Sequence, residues 1–410
     1  MRGKSARSEE AALNIVLYNH TFLPQVGGRE FVIFYLANAL RRLGHRVRVV
    51  GPAGWWRYRD TVFDFPVHRW PGIGGRRSEW LMRSQLRADL SLWRADVIHA
   101  HSTYPSGCVA VEVGRQVGLP VVVTPHGEDI HVIPEIGHGM RLDPRMARRI
   151  EHVVGSADAL TAISASVRDA LIDAGAAPER IWSIPNGTKS DRFDHAATDG
   201  VRERYGIPED AAVILTVGSY VRRRGHEELV SAVARLREQR PDAHLVIAGR
   251  GTSALDAHIR SIGARGYTTL TGSIDHPAVS GTARDDLAGL YRMAEVYVSA
   301  GMAEGAEGLS LALLEAMAAA RPIVATNISG NRDVLEHETS ALLIPPGDVE
   351  ALTVALHRVL AKPTLAARMG AAAKRSVAPY DWAAIAQKYV TCYRSAISGT
   401  GDRVRAVAAG

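Results

Sequence analysis

The chain has 410 residues, of which 46% are hydrophobic and 22% charged, a balance typical of a globular protein of two or three domains and not of a disordered one. Lys and Arg number 49 against 43 Asp and Glu, so the net charge of +6 favours anionic ligands, anionic lipid surfaces or nucleic acid without choosing among them. Cys108 and Cys392 are too few for a disulfide framework or a four-cysteine zinc site, and no apolar run reaches the roughly 18 to 20 residues that span a bilayer. We therefore expect a soluble cytoplasmic protein with a polar, disordered lead-in over residues 1–12.

The first half of the chain alternates short β-branched runs with amphipathic helical patterns. A helical pattern over 30–43 ends before Gly44, where a helix C-terminus favours a residue with positive φ. Strands are predicted at 14–18, 46–50, 96–100, 120–124, 159–163 and 181–184. This alternation predicts an α/β fold of βαβ units with right-handed crossovers and a buried parallel sheet.

The same pattern restarts after a junction at 185–199, which carries Pro, Asn-Gly and several Asp without hydrophobic periodicity. The tail over 364–398 is predicted to be helical, with Asp381 as an N-cap. Further strands are predicted at 213–217, 244–248, 269–271, 296–299, 323–325 and 342–344, and helices at 226–239, 284–294 and 309–320.

These elements predict two open, doubly wound domains, over 13–190 and 191–378, whose ligands bind at the carboxyl ends of the strands. If those ends face each other, one cleft lies between the domains. The segment 379–410 is expected to be a C-terminal helix, packed back on the first domain, and a tail.

The most informative segment begins at Glu307, after a predicted strand and a loop of small residues. A helix that begins near Leu309 leaves the amides of Gly308, Leu309 and Ser310 without intrahelical acceptors, and such amides bind phosphate. Glu315 follows Glu307 by eight residues, roughly 12 Å along a helix, which is about the span from a sugar across a diphosphate to a ribose. The alternative is that Glu307 only complements the helix dipole and that Glu315 is solvated.

Three consecutive arginines, Arg222, Arg223 and Arg224, lie in a loop that follows one predicted strand and precedes a helix. Guanidinium groups on a loop that faces the cleft are suited to bind a diphosphate and to neutralise the charge of a leaving group. A solvated basic turn is the alternative interpretation.

Two further loops are predicted to reach the cleft. Gly27 and Gly28 follow the first strand, where glycine permits close backbone approach to a ligand, although a tight turn explains them equally well. They do not form the Gly-x-Gly-x-x-Gly pattern, which argues against an NAD enzyme. His126 follows the fourth strand and is suited to hydrogen-bond a sugar hydroxyl or to transfer a proton, with a purely structural role as the alternative.

Together these segments resemble the retaining glycosyltransferases of family 4, also called glycosyltransferase group 1, which have the GT-B fold of two Rossmann-like domains. The family's pair of glutamates separated by seven residues is met by Glu307 and Glu315. The resemblance extends over about 13–361, and its other matching segments are Gly27-Gly28-x-Glu30, Pro185-Asn186-Gly187, Gly249-Arg250-Gly251, 321–326 and 342–348.

The resemblance implies that the second domain binds a nucleotide sugar as co-substrate, without another cofactor or a metal ion. It implies that Glu307 contacts the hydroxyls of the donor sugar, that Glu315 contacts the ribose and that His126 lines the sugar from the first domain. Catalytic roles are implied for Glu307, His126 and Arg224. Donor binding is implied for Gly27, Gly28, Arg223, Arg224, Gly308, Leu309, Ser310, Leu311 and Glu315.

The sequence departs from the family's pattern in the arginine loop. Ser219 stands where the family often has Arg, and Arg224 where it usually has Lys. We therefore expect Arg223 and Arg224 to share the diphosphate role. Leu309-Ser310 replaces the common Phe-Gly after the first signature glutamate, a milder change because backbone amides do the binding.

The sequence thus predicts a retaining, metal-independent hexosyltransferase with a nucleotide-sugar donor, UDP-sugar favoured and GDP-mannose next. The expected acceptor is a hydroxyl of a glycan, a lipid-linked sugar or a small molecule such as a natural product. A peripheral membrane or nucleic-acid-binding protein on the same scaffold is the alternative, but the chain has no recognition helix or RNA-binding pattern, so no nucleic-acid partner is expected. A pyridoxal-phosphate phosphorylase would need a cofactor lysine, and no lysine lies in a fitting motif.

Two features bear on membrane contact and on the acceptor. A basic helix favours peripheral association with the inner face of the membrane, with a solvated basic face as the alternative. Its arginines are Arg141, Arg145, Arg148 and Arg149. Tryptophans concentrated in the first domain are candidates to stack on a sugar or to touch a membrane, although packing is the default explanation. They are Trp55, Trp56, Trp70, Trp80 and Trp93.

Overall fold

A computed structural model describes residues 11–53, 63–71 and 78–408 of the chain. Trp55, Trp56 and nearly all of the predicted lead-in lie outside these ranges. Among the described helices, none combines the length and the hydropathy that a membrane crossing requires.

The first domain is built on a parallel sheet of seven strands with helices on both faces. Its strands are β1 Asn14–Tyr18, β2 Arg46–Ala53, β3 Val67–Pro71, β4 Val97–His101, β5 Val121–Thr124, β6 Ala159–Ala162 and β7 Ile181–Ser183. Its helices are α1 Gly28–Arg42, α2 Ser78–Leu92, α3 Cys108–Val117, α4 Pro144–Ser156 and α5 Ala165–Asp173. The strand order is β3-β2-β1-β4-β5-β6-β7, which is the doubly wound arrangement predicted from the alternation.

The second domain repeats the design on a parallel sheet of six strands in the order β10-β9-β8-β11-β12-β13. These strands are β8 Ala212–Val217, β9 Ala243–Ala248, β10 Thr268–Gly272, β11 Val296–Ser299, β12 Ile323–Thr326 and β13 Leu342–Ile344. Its helices are α6 Val201–Tyr205, α7 His226–Leu236, α8 Asp256–Ser261, α9 Pro277–Ser280, α10 Asp286–Met293, α11 Leu311–Ala318, α12 Val349–Ala361 and α13 Pro363–Ser376.

The central strands of both sheets are buried along their whole length, as in β4, β5, β9 and β11. Because helices cover both faces, these strands carry nearly continuous apolar runs instead of an alternating pattern. That is why the sequence predicts them well. The edge strand β3 was missed, because His and Arg interrupt its short apolar sequence Val-His-Arg-Trp-Pro, which ends in a proline that is tolerated at a sheet edge.

The tail over 364–398 is helical, as predicted, and it is divided into two helices. Helix α13 is followed by a short turn that contains Pro379, whose nitrogen cannot donate to a helix, and α14 runs over Trp382–Ala408. The predicted cap is confirmed, since the Asp381 carboxylate accepts a hydrogen bond from the Ala383 amide at 2.8 Å.

Helix α14 packs against the first domain, although it follows the second in sequence. Tyr389 and Tyr393 are fully buried among residues of α1 and of the first sheet. The chain crosses between the domains twice at adjacent points, because Thr188 pairs with Asp381. The Trp382 ring lies so close to Gly187 that a Cβ there would approach it to 2.7 Å, which explains the glycine in the Pro-Asn-Gly segment.

We predict that Trp382→Ala lowers the free energy of unfolding by about 3 to 5 kcal/mol, because a buried aromatic ring that stacks on Tyr35 is lost from the docking face of α14. Trp80→Ala is the control, since this side chain is 69% exposed and should change stability by no more than about 0.5 kcal/mol. Chemical denaturation of both variants measures the difference. Equal small effects would show that α14 does not depend on this contact.

Candidate active site

One cavity of about 260 Å³ lies between the domains, where the carboxyl ends of the two sheets face each other. It is lined by the loop after β1, the loop after β5, the arginine loop after β8 and the segment that leads into α11. The structure brings all of the site residues predicted from the sequence to this cavity. They are Gly27, Gly28, His126, Arg223, Arg224, Glu307, Gly308, Leu309, Ser310, Leu311 and Glu315.

Helix α11 begins at Leu311, two residues later than predicted, with Ser310 as its N-cap. The helix itself therefore leaves the amides of Ser310, Leu311 and Ala312 without acceptors, while the amides of Gly308 and Leu309 lie before the helix. The Leu309 side chain is buried, and its carbonyl accepts a hydrogen bond from the Asn186 side chain at 2.7 Å. Because only part of the interval from Glu307 to Glu315 is helical, the helical rise does not set the distance between the two carboxylates.

Glycine at 308 allows the two domains to approach each other closely. A Cβ at this position would lie 2.7 Å from the Ile163 side chain of the first domain. The segment is also covered from the other side, since a Cβ at Gly330 would clash with the Gly308 carbonyl. The start of α11 is thus held between the two domains.

Glu307 and Arg224 form an ion pair at the mouth of this helix, with Arg224 Nε 2.5 Å from Glu307 Oε1. The contact lacks hydrogen-bond geometry, so both buried atoms are left without a hydrogen-bond partner in the described structure. Buried polar atoms are normally satisfied, and an unsatisfied pair that lines a cavity indicates a place for ligand groups. The ion pair also answers how a carboxylate can lie beside a phosphate-binding helix start.

The three arginines of the loop have different surroundings. Arg222 is half exposed and pairs with Glu228 at 2.8 and 2.5 Å, away from the cavity. Arg223 donates from Nε to the Ala306 carbonyl at 2.7 Å, and burial lowers the pKa of its guanidinium. Arg224 lies over Gly218, where any Cβ would clash with its Nη1. Two of the three arginines therefore line the cavity.

Glu315 belongs to a buried ionic cluster that the sequence did not predict. Arg192 donates to Glu315 at 2.7 Å and to both carboxylate oxygens of Asp285 at 2.6 and 2.8 Å. Burial raises the pKa of the Glu315 carboxyl, and Arg192 opposes that shift. The alternative of a solvated Glu315 is therefore wrong. Asp285 is also the N-cap of α10, since its carboxylate accepts a hydrogen bond from the Ala288 amide at 3.0 Å.

The same cluster reaches the first domain through Tyr35 of α1, whose hydroxyl lies 2.8 Å from His276 Nε2. Burial lowers the pKa of His276 to about 3, so the ring is neutral. It contributes a hydrogen bond to this contact and no positive charge. Sequence reasoning missed Tyr35, Arg192 and His276, because they come from three distant segments that carry no shared local pattern.

The glycines of the first loop differ in their surroundings. A Cβ at Gly27 would clash with the Glu30 carboxylate, so this glycine leaves room for that side chain. A Cβ at Gly28 would meet no protein atom within 4 Å, which leaves its backbone open to the cavity. Gly28 is also the first residue of α1.

His126 lies opposite the start of α11. Its amide donates to Asp129 at 2.8 Å, and its ring nitrogen Nε2 lies 3.2 Å from His101 Nδ1. Burial, with Arg29 and His99 nearby, lowers the pKa of His126 well below its usual range. The neutral ring is suited to hydrogen-bond a hydroxyl, and a charged imidazolium is disfavoured.

Comparison with known proteins identifies the family. The profile of Glycosyltransferase Family 4 matches residues 26–192, and that of Glycosyl transferases group 1 matches residues 198–376. The chain belongs to family 4 of the glycosyltransferases. It is a GT-B enzyme that uses a nucleotide-sugar donor.

Curated relatives agree with this family, and a solved structure agrees with the GT-B fold. The chain is 28% identical to D-inositol 3-phosphate glycosyltransferase 1 of Catenulispora acidiphila, over 75% of this chain and 74% of that protein. It is 27% identical to a GDP-mannose-dependent α-(1-6)-phosphatidylinositol monomannoside mannosyltransferase of Mycobacterium tuberculosis, over 91% and 96%. The crystal structure of Anabaena HepE in complex with UDP-glucose superposes with a TM-score of 0.78 at 18% identity, covering 93% of this chain and all of the other.

The arginines and tryptophans that were considered for membrane or acceptor contact in this glycosyltransferase differ in their exposure and in their partners. Arg141 donates to backbone carbonyls and to Asp173, and Arg149 pairs with Glu79, so only Arg145 and Arg148 of the basic helix are without a partner among the described residues. Trp70 is buried, Trp93 packs under Arg48, and Trp80 is exposed. Packing therefore explains Trp70 and Trp93.

We predict that Gly218→Ala lowers UDP affinity of this glycosyltransferase about tenfold, because the new Cβ displaces the Arg224 guanidinium from the cavity. Gly266→Ala is the matched control, since a Cβ there meets no atom within 4 Å. Calorimetric titration with UDP and with GDP measures the effect. Unchanged affinity for both nucleotides in Gly218→Ala would place the diphosphate away from Arg224.

Proposed function

We propose that this protein transfers a sugar, with retention of anomeric configuration and without a metal ion, from a nucleotide sugar to an acceptor hydroxyl. The observation that carries the proposal is the unsatisfied Glu307–Arg224 pair at the start of α11, with His126 facing it across the cavity. An arginine and a carboxylate at a free helix N-terminus offer separate partners for a diphosphate and for a sugar hydroxyl.

In the proposed complex the diphosphate lies at the N-terminus of α11. The amides of Ser310, Leu311 and Ala312 and the guanidinium groups of Arg223 and Arg224 neutralise its charge. The ion pair between Glu307 and Arg224 then breaks, and the Glu307 carboxylate accepts hydrogen bonds from the hydroxyls of the donor sugar. Glu315 binds the ribose. The first domain, over 13–190, supplies the acceptor side, and the second domain, over 191–378, supplies the donor side.

The proposed chemistry is displacement on one face of the sugar. The bond between the anomeric carbon and the phosphate oxygen breaks, the acceptor oxygen bonds to the same face, and the acceptor proton passes to the departing phosphate oxygen. Of the carboxylates that line the cavity, Glu307 and Glu315 are paired with arginines, and Glu128 is exposed at the rim. This pairing supports a mechanism without a carboxylate nucleophile. Among the described residues, no group of three or more His, Cys, Asp or Glu is arranged to hold a metal ion.

We propose a UDP-sugar as the first candidate donor and GDP-mannose as the second. The HepE structure contains UDP-glucose, and the mycobacterial relative is named for GDP-mannose. The proposed acceptor is a glycan, a lipid-linked sugar or a small molecule. A lipid-linked acceptor would bring the protein to the inner face of the membrane, with Arg145 and Arg148 as the remaining basic contacts. Family membership does not favour a membrane or nucleic-acid scaffold without activity.

Hydrolysis of a panel of nucleotide sugars, without acceptor, tests the donor and the metal requirement together. We predict turnover of one UDP-sugar, or failing that of GDP-mannose, at an unchanged rate in excess EDTA. Nuclear magnetic resonance of the first released sugar should show the donor's anomeric configuration. Loss of turnover in EDTA with recovery in Mg²⁺ or Mn²⁺, or an inverted product, would contradict the proposed mechanism.

We predict opposite effects for the two signature glutamates. Glu315→Gln should weaken UDP binding about tenfold or more, because a charged partner of the ribose is lost, while the amide preserves the shape of the Arg192 cluster. Glu307→Gln should lower kcat strongly with UDP affinity nearly intact, since its contact forms with the sugar and strengthens in the transition state.

Calorimetry and steady-state hydrolysis on the same preparations separate these effects. Glu350→Gln is a control, because this carboxylate is 71% exposed and pairs only with Arg235 at 3.2 Å. If Glu307→Gln abolished UDP binding while Glu315→Gln left it untouched, the donor would lie in the reverse direction along α11.

A further inference from the structure

His126 is not held by its own loop alone but by a second histidine behind it. His101, the last residue of β4, is fully buried, and its Nδ1 lies 3.2 Å from His126 Nε2. The two rings are nearly parallel, with an interplanar angle of 24° and a centroid distance of 5.4 Å. The contact joins the carboxyl ends of β4 and β5, which pair in the sheet through His101 and Thr124.

His101 is fixed in turn by its neighbours. Its ring centroid lies 4.1 Å from that of His99, two residues earlier on the same strand. Both nitrogens of His99 are hydrogen-bonded, Nδ1 to the Tyr393 hydroxyl at 2.7 Å and Nε2 to Thr124 Oγ1 at 2.6 Å. A row of buried rings thus connects helix α14 with the wall of the donor cavity.

The unpaired Nε2 of His101 indicates which of the two ring nitrogens of this histidine carries the proton. Nε2 of His101 is buried and has no hydrogen-bond partner in the described structure. A buried N–H without an acceptor is rarer in proteins than an unused acceptor lone pair. The favoured tautomer of His101 therefore carries its proton on Nδ1 and leaves a lone pair on Nε2. Burial lowers the pKa of His101 well below its usual range, so a second proton is disfavoured.

We propose that His101 is a positioning residue that donates from Nδ1 to His126 Nε2 and thereby fixes His126 as the tautomer with its proton on Nδ1. His126 then presents an N–H donor to a hydroxyl oxygen of the donor sugar and keeps its ring orientation when the sugar enters. This inference rests on the proposed function for the identity of the ligand. The tautomer itself is a property of the free protein.

The first test measures the tautomer in the unliganded wild-type protein. Long-range ¹H–¹⁵N correlation spectra of ¹⁵N-histidine-labelled protein report which ring nitrogen carries the proton, and the signals lost in His126→Gln and His101→Asn assign the two rings. We expect both rings to be protonated on Nδ1. A proton on His126 Nε2, or a charged imidazolium near neutral pH, would overturn the proposal.

The second test uses variants and the donor hydrolysis assay. His101→Leu should lower kcat about tenfold and leave UDP affinity within about twofold, because one hydrogen bond to His126 is lost outside the nucleotide site. His101→Asn places an amide donor near the position of Nδ1 and should recover most of the rate. His244→Leu is the control for replacing a buried strand histidine, since His244 of β9 bonds only Thr269.

These outcomes separate the two proposals. Equal rates for His101→Leu and the wild type would overturn the positioning role, and so would loss of activity in His244→Leu to the same extent. If the wild type hydrolysed no nucleotide sugar but showed both Nδ1 tautomers, the proposed function would fail while the tautomer assignment stood. Should His101→Leu fail to fold, the wild-type spectrum and His101→Asn decide the question.

Discussion

The site depends on the close ion pair between Glu307 and Arg224 at the N-terminus of α11. A carboxylate at this position would repel a phosphate if it stood alone, and an arginine would be drawn into solvent if it had no partner. Together they neutralise each other in the unliganded protein, and neither side chain completes its hydrogen bonds. In the proposed complex a nucleotide sugar offers a phosphate to Arg224 and hydroxyl groups to Glu307, so that binding would replace an imperfect contact with satisfied ones.

Two sheets and several glycines hold this pair in place. The carboxyl ends of β8 and β11 deliver the arginine loop and the segment before α11 to the same edge of the second sheet. Gly218 leaves room for the Arg224 guanidinium, and Gly308 permits the first domain to approach through Ile163. Asn186, at the crossing between the domains, bonds the carbonyl just before α11. The cavity is therefore lined by residues of both domains and of their junction.

Much of this arrangement could be predicted from the sequence because local chemistry determined it. The buried strands carry continuous β-branched runs, and the loops predicted to bind phosphate combine glycine or arginine with a following helix. Strand β3 was missed because an edge strand does not need an apolar run. The break before α14 follows from Pro379, and the start of α11 lies two residues after its predicted position. The spacing from Glu307 identified Glu315 as a site residue, but the sequence did not predict the buried ionic cluster around it.

Long-range contacts could not be predicted in the same way. Arg192 joins Glu315 and Asp285 across more than 90 positions of sequence, and no periodicity indicates such a meeting. Tyr35 reaches His276 in the other domain, and Tyr393 reaches His99 from the last helix. These contacts arise because the C-terminal helix returns to the first domain and because the two sheets face each other. They are consequences of topology, and they supply the second layer of residues around the predicted site.

A crystal structure with an intact UDP-sugar, or with GDP-mannose if that is the donor turned over, tests the central claim most directly. The account predicts that the Glu307–Arg224 pair is broken in the complex, with the guanidinium on the diphosphate and the carboxylate on a sugar hydroxyl. The diphosphate should lie against the amides of Ser310 and Leu311. An intact ion pair beside a bound donor, or a diphosphate held away from the start of α11, would contradict it.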